Sequence, residues 1–248
     1  MLYQSIPITV IEHVFRKRAL PSFQTYCHFL FLGKKQILLD QKTITEATTS
    51  LQISYATLKR RISSLIKIRF IVKDTSGSCY KIRSLKEIQN ALGNSNATRA
   101  LIWLKSYDIF NLKTTCKAAL LYNIAFKRYL VEQQIYHNQN PKKIIQKLCV
   151  KDNNLNTSVV SLAIFCVPTS YFAKALKTTE VQIYRIRQEA ATLKLLSFKN
   201  AYQKLNISAE ELASFKSNSV ELPHIFTTNR KSILKETATI TFNLKLKP

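Results

Sequence analysis

Between residues 54 and 67 the chain gathers side chains whose chemistry suits the edge of a nucleic acid. The guanidinium of Arg60 is a planar fork of donors, the shape that meets O6 and N7 of guanine together. Hydroxyls at Ser54, Thr57 and Ser64 can meet base edges or phosphates, and such small residues allow close approach. Lys59, Arg61 and Lys67 flank that set with the positive charge that phosphates attract. Lys73, Lys81 and Arg83 follow, near the tip and edges of an expected hairpin. No acidic residue occurs from Ala47 to Lys73. A surface of one sign repels itself, so this stretch is expected to face a polyanion.

Positioning these groups requires a short helix, a turn, a second helix and a hairpin. Ile44, Ala47, Thr48 and Leu51 fall at the spacing of one helical face. Gln52 and Ile53 interrupt, and Ser54 can cap a second helix by accepting from an orphan amide. In that helix Leu58, Ile62 and Leu65 project to one side, leaving Ala56, Thr57, Arg60, Ser63, Ser64 and Lys67 on the other. The β-branched run 68–72 and the strand residues Cys79, Tyr80 and Ile82 bracket turn residues Thr75 to Ser78. Upstream, Pro21 opens a helix with Phe23, Tyr26, Cys27, Leu30 and Phe31 inward and Gly33 as its C-cap, completing a three-helix core. The pattern is a helix-turn-helix followed by a two-stranded wing.

The same ordered roles return 125 residues later. Leu51 falls on Leu176, Ser54 on Thr179, Leu58 on Ile183, Arg60 on Arg185, Ile68 on Leu193 and Ile71 on Leu196. Repetition of cap, core stripe and outward arginine predicts tandem copies of one architecture. In the second copy Thr179, Gln182, Tyr184, Arg185 and Gln188 are the candidate contact residues, with Val181, Glu189 and Thr192 also facing out. Gln188 offers the paired donor and acceptor that adenine takes. Glu189 makes this face less cationic, and protein contact, including homodimerisation, is its alternative role.

Elsewhere the chain opens with β-like Ile6, Ile8 and Val10 and a basic cluster, Arg16-Lys17-Arg18, that an arm along DNA would use. Residues 85–92 read as a short helix leaving the wing, and residues 112–137 as one long helix with Leu112, Cys116, Leu120, Ile124, Val131 and Ile135 inward. Asn140 and Pro141 restart a helix as cap and first residue. Lys113, Lys117, Lys127, Arg128, Lys142, Lys143 and Lys147 keep this connector basic. Ser208 to Phe215 reads as a helix, and the alternation Ala238, Ile240, Phe242, Leu244, Leu246 as the late strand of a second wing whose early strand is 195–198. An insertion between them carries Asn229-Arg230-Lys231. Gly33, Gly77 and Gly93 fall at a helix end, a wing turn and a linker. The expected domains are residues 1–93, a helical connector 94–150, and residues 151–248.

Composition bounds the partner. The 248 residues include 38 Lys and Arg against 14 Asp and Glu, a formal net charge of +24. Nucleic acid is the polyanion that rewards such an excess, because each neutralised phosphate releases counterions. The five cysteines lack any CxxC pair, and His13, His28, His137 and His224 pair with none of them at ligand spacing, so reduced buried thiols and no metal are expected. Apolar runs near 23–32 and 159–167 are too short to cross a bilayer. With no secretory signal read at the start, a soluble cytoplasmic protein is expected. The acids are dispersed, Glu210-Glu211 being the one adjacent pair, and no phosphate-cradling glycine loop occurs. No catalytic residue and no cofactor are expected.

SLQISYATLKRRISSLIKIRFIVK and KALKTTEVQIYRIRQEAATLKLLSFK resemble the winged-helix proteins of bacteria and their mobile elements. That resemblance covers about a third of the chain. It implies a mainly α fold with small β-hairpin wings, and two winged-helix domains joined by a helical connector. The layout is similar to that of plasmid and phage replication initiators, which implies origin binding, as monomer on repeats and as dimer on an operator. Such domains carry glycine before the wing; Arg69 and Lys194 stand there. The expected function is double-stranded DNA binding by occupancy, as a transcription regulator or a replication initiator. The alternative is a DNA-coating or virion packaging protein without sequence preference.

Overall fold

The computed structural model describes residues 2–74, 79–93, 98–104, 108–137, 140–152, 157–160, 164–199, 202–205, 225–227, 233–236 and 239–248. The turn around Gly77, the 94–96 linker, the 208–215 helix and Asn229-Arg230-Lys231 lie outside the described residues. The fold is mainly helical with small antiparallel sheets. It divides into two compact units, Met1–Leu120 with Leu246–Pro248, and Leu121–Lys245. Residues 94–150, expected as a connector, are shared between the two units.

Unit one begins with strand β1 (Leu2–Pro7), which ends where helix α1 (Ile8–Arg16) starts. Ile8 and Val10, read as strand residues, are therefore helical. The segment carries two overlapping patterns, and both reach the core: Ile6 from β1, and Ile8, Val10, Ile11 and Val14 from α1. Helix α2 (Leu20–Phe31) carries Pro21 in its first turn, as expected, and the chain leaves it through Gly33, just past the Leu32 C-cap, whose φ of 67° suits a residue without Cβ. Strand β2 (Gln36–Leu38), helix α3 (Gln41–Leu51), helix α4 (Tyr55–Lys67), strand β3 (Ile71–Lys73) and strand β4 (Cys79–Ile82) follow. The three strands form an antiparallel sheet in the order β2-β4-β3. Helix α5 (Leu85–Ala91) opens with a full capping box between Ser84 and Glu87. Strand β5 (Arg99–Leu104) pairs with β1, and the long helix α6 (Leu112–His137) begins beyond it.

What fastens α4 to this unit is an aromatic cluster. Phe23 and Tyr26 from α2 meet Phe70, three residues past the end of α4, at ring separations of 6.0 and 5.2 Å. Phe70 is 1% exposed. The Tyr26 hydroxyl donates to the Arg83 carbonyl at 2.8 Å, and burial pushes its pKa well above the ordinary phenol range. Leu58, Ile62 and Leu65, the expected inner stripe of α4, are all buried.

In unit two, α7 (Pro141–Leu148) starts on the Asn140 cap and runs into strand β6 (Cys149–Asp152), which pairs with β7 (Thr157–Val160). Strand β8 (Ile164–Cys166), helix α8 (Thr169–Leu176), helix α9 (Glu180–Thr192) and strand β9 (Leu196–Lys199) come next. Strands β10 (Tyr202–Leu205), β11 (Ile225–Thr227) and β12 (Ile233–Glu236) make a sheet of their own within the expected insertion. Strand β13 (Thr239–Phe242) then pairs with β9, as the alternation predicts, and also with β8. The order β8-β13-β9 has the topology of β2-β4-β3: strand, helix, helix, strand, with the last strand in the centre. The alternating tail is two strands and not one. β14 (Lys245–Lys247) belongs to the sheet β1-β5-β14, because Asn243 breaks the run by bonding to the turn after α9.

Three further expectations are corrected. Val131 is exposed, because the first half of α6 is buried almost all round through Ala118, Ala119, Leu121, Tyr122, Ala125 and Phe126, so no single stripe defines its core face. Arg128, counted among the cations of the basic connector, is buried: its Nε donates to Glu132 at 2.7 Å, and its guanidinium covers the Tyr171 ring. Cys166 is exposed, since its strand neighbours Phe165 and Val167 take the inward positions and period two turns it out.

Phe70→Ala removes the shared member of the cluster and should cost unit one about 3 to 5 kcal/mol. Urea unfolding followed by tyrosine fluorescence reads this as a lowered midpoint; a shift under about 1 kcal/mol would mean that the cluster does not hold α4.

Candidate nucleic-acid interface

The two helices that carry the candidate residues are built alike, residue for residue. Helices α4 and α9 each span 13 residues and start 125 positions apart. Ser54 Oγ accepts from the Thr57 amide at 3.3 Å, and Thr179 Oγ1 from the Gln182 amide at 3.2 Å. Each cap satisfies one orphan donor and fixes where its helix begins. Before the cap, Gln52 and Lys177 both turn the chain through the left-handed region, each at φ 51°. After the helix, Arg69 and Lys194 do so again, at φ 59° and 56°. The closing bonds recur too: Phe70 N donates to Leu65 O and Leu195 N to Ala190 O, each at 2.9 Å. One frame is thus used twice, in a separate unit each time.

That frame leaves one arc of each helix to solvent. On α4, Tyr55, Ala56, Lys59, Arg60, Ser63 and Lys67 are exposed, and Thr57 and Ser64 are half-buried. On α9, Val181, Gln182, Tyr184, Arg185, Gln188, Glu189 and Thr192 are exposed. Arg60 and Arg185 make no hydrogen bond or ion pair with another described residue. The positions expected to read bases are therefore the ones turned outward.

Several expected contact residues are spent within the protein. Arg61 is half-buried and reaches back to α2, where its Nη1 donates to Gln24 Oε1 at 3.4 Å and Thr25 Oγ1 at 3.3 Å. Burial, then the neighbouring Arg60, lowers its pKa. It lies one position off the outer arc, on the seam between helices, and the guanidinium takes the hydroxyl and amide there. Arg83 donates from Nη1 to Arg69 O and from Nη2 to Glu87 O, both at 3.2 Å, so it braces a turn. Ser54 and Thr179 give their hydroxyl oxygens to the caps. Gln182 accepts from Thr178 Oγ1 at 2.6 Å, and Tyr184 packs edge-on against Phe198.

The hairpin keeps its cations outside. Lys73 and Lys81 are exposed, while Ile71 and Ile82 pair across the strands with their side chains buried. The outward set in unit one is then Lys59, Arg60, Lys67, Lys73 and Lys81, joined by Arg69, which the spacing argument did not select. Its signal in the sequence is the basic residue at each glycine-like turn, Arg69 and Lys194. Unit two offers a different surface on the same frame. Val181, 62% exposed, and Gln188 stand where unit one has Ala56 and Ser63, and Glu189 stands where it has Ser64.

Among the described residues no three His, Cys, Asp or Glu side chains come together as metal ligands, and no helix is long and apolar enough to cross a membrane. In comparison with known proteins, the chain matches no family model, no curated protein and no solved structure.

The contrast between neighbours gives a test of the frame. Arg61→Ala should destabilise unit one by about 1 to 2 kcal/mol through its lost hydrogen bonds, whereas Arg60→Ala should stay within about 0.5 kcal/mol of the parent. Chemical denaturation of the two variants measures both; equal losses would place Arg60 against protein as well.

Proposed function

We propose that the protein binds double-stranded DNA in a sequence-dependent way through α4 and α9, acting by occupancy as a transcription regulator or a replication initiator. In this reading each unit is a winged helix, with α4 and α9 as reading helices and the strands after them as wings. The observation that carries it is the double use of one frame, each copy presenting at the same position an outward arginine, Arg60 and Arg185, that has no partner among the described residues. A net charge of +24 supplies the long-range attraction to a polyanion. The bidentate arginine supplies discrimination, and the lysines beside it supply sequence-independent affinity.

In this mechanism α4 enters a major groove with Arg60 on a guanine edge and Thr57 beside it. The hairpin lays Lys73 and Lys81 along the adjacent backbone. Helix α9 takes a neighbouring site with a different preference: Arg185 again suits guanine, Gln188 suits adenine, and Val181 presents an apolar face to a thymine methyl. Two like frames with unlike contact residues favour this reading over uniform coating, which needs charge alone.

Equilibrium binding to a selected duplex and to its point-mutated variants tests the assignment. Arg60→Ala should cost about 1 to 3 kcal/mol on the preferred duplex and flatten the preference at one base pair. Loss of equal size on every duplex would reassign Arg60 to phosphate. Lys73→Ala or Lys81→Ala should weaken all duplexes alike and lower the salt slope by about 1; an unchanged slope would remove the hairpin from the interface.

A further inference from the structure

We infer that Arg69 and Lys194 are a matched pair of phosphate contacts, held in an unfavourable backbone conformation that a glycine would occupy with less strain. The inference rests on the DNA-binding reading above. Both residues lie two positions beyond the end of a 13-residue helix, at φ 59° and 56°. The left-handed region crowds a Cβ against the neighbouring carbonyl, which is why this helix-end position usually falls to glycine.

The backbone at both places is pinned by the fold and not by the side chain. The Arg69 amide donates to Ile66 O and the Lys194 amide to Ala191 O, each at 2.9 Å. Their carbonyls accept from the residue that follows the central strand of each sheet: Arg83 Nη1 reaches Arg69 O at 3.2 Å, and Asn243 Nδ2 reaches Lys194 O at 2.7 Å. Arg83 N and Asn243 N then close the same gap onto Phe70 O and Leu195 O. A glycine would keep all of these bonds, because none uses the side chain of residue 69 or 194. What the side chains add is an exposed cation at the same place in each unit. The other left-handed pair of the frame, Gln52 and Lys177, does not repeat a charge. Within the repeated frame the charge recurs at the position after the reading helix; outside it, Arg18 stands two positions past α1 at φ 53° with the same closing bonds. Strain retained where it could be relieved points to a job for the side chain.

The position suits a phosphate. Nine residues separate Arg60 from Arg69 and Arg185 from Lys194, about 13 Å along a helix that rises 1.5 Å per residue. The major groove is about 12 Å wide. With the arginine at a base edge inside the groove, the cation at the helix end meets the strand that borders it. The rival role for a cation there is stabilising the helix C-terminus through the macrodipole, and it predicts the opposite effect on stability.

The test uses the full chain with Arg69→Gly, Lys194→Gly and the double variant, together with the charge-keeping Arg69→Lys and Lys194→Arg. Tm is measured for each, and affinity for a fluorescein-labelled random-sequence DNA duplex is measured across a range of KCl. The glycine variants should keep or raise Tm while the slope of log Kd against log salt falls by about 1 for each cation removed. The charge-keeping variants should hold the slope of the parent. An unchanged slope in the glycine variants overturns the inference, and so does a lowered Tm, which would give the cations to the helix ends. If the parent protein fails to bind the duplex at low salt, the DNA-binding reading itself falls; if it binds and the glycine variants keep its slope, that reading stands and this inference alone falls.

Discussion

Two residues past the ends of α4 and α9, the carbonyls of Arg69 and Lys194 are each tied to the residue that follows the central strand of the sheet, Arg83 and Asn243. A helix tied at its far end and capped at its near end by Ser54 or Thr179 has no freedom to roll. That constraint decides which arc of the helix faces solvent. Since side chains on a helix repeat every 3.6 residues, a roll of one position would turn Arg60 toward α2 and drive Arg61 into the place of the buried Ile62. The hydrogen bonds of Arg61 to Gln24 and Thr25 act on the same degree of freedom from the opposite side.

Rigidity of this kind matters for the proposed recognition, which depends on presenting a planar donor fork in one orientation. A guanidinium on an exposed helix keeps its own rotamer freedom, but its Cβ direction is set by the frame. The two units apply that frame to different surfaces. Unit one presents cations and hydroxyls with no acid between Ala47 and Lys73; unit two presents Val181, Gln188 and Glu189 around the shared arginine. Each core is assembled differently to support the same outcome. Ile62 in α4 has as its counterpart Arg187, which is buried, bonded to Thr169 Oγ1 and stacked on Phe198. A guanidinium can replace an aliphatic residue there because Thr169 accepts from its Nη1 and the Phe198 ring covers its flat face.

Most of the frame was legible in the sequence. Caps, inner stripe and strand alternation are local signals, and Ser54, Leu58, Ile62 and Leu65 announce α4 without reference to the rest of the chain. The assignment of outward residues was legible only to within one helical position. Arg60 and Arg61 have the same residue type, and the spacing alone does not tell which meets α2; the partners Gln24 and Thr25 are supplied by a segment some 36 residues earlier. The partners of Arg83 are hidden for a similar reason, since its acceptors are backbone carbonyls, one of them brought to it by the turn at Arg69. The change from strand to helix at Ile8 is hard to read because two periodicities share Ile6, Ile8 and Val10, and all three are buried in either one. The alternating tail hid its break at Asn243 because the alternation continues through a residue that leaves one sheet for another.

The central claim is that this charge serves two frames that read sequence, and the most direct measurement is a footprint on duplexes recovered by selection from a random pool, with unselected DNA in large excess. The account predicts protection confined to one or two helical turns, with two unlike submotifs that each contain a guanine and that lose definition separately in Arg60→Ala and Arg185→Ala. Protection spread evenly along the duplex, or lost to the competitor at the same concentration as on unselected DNA, would contradict it.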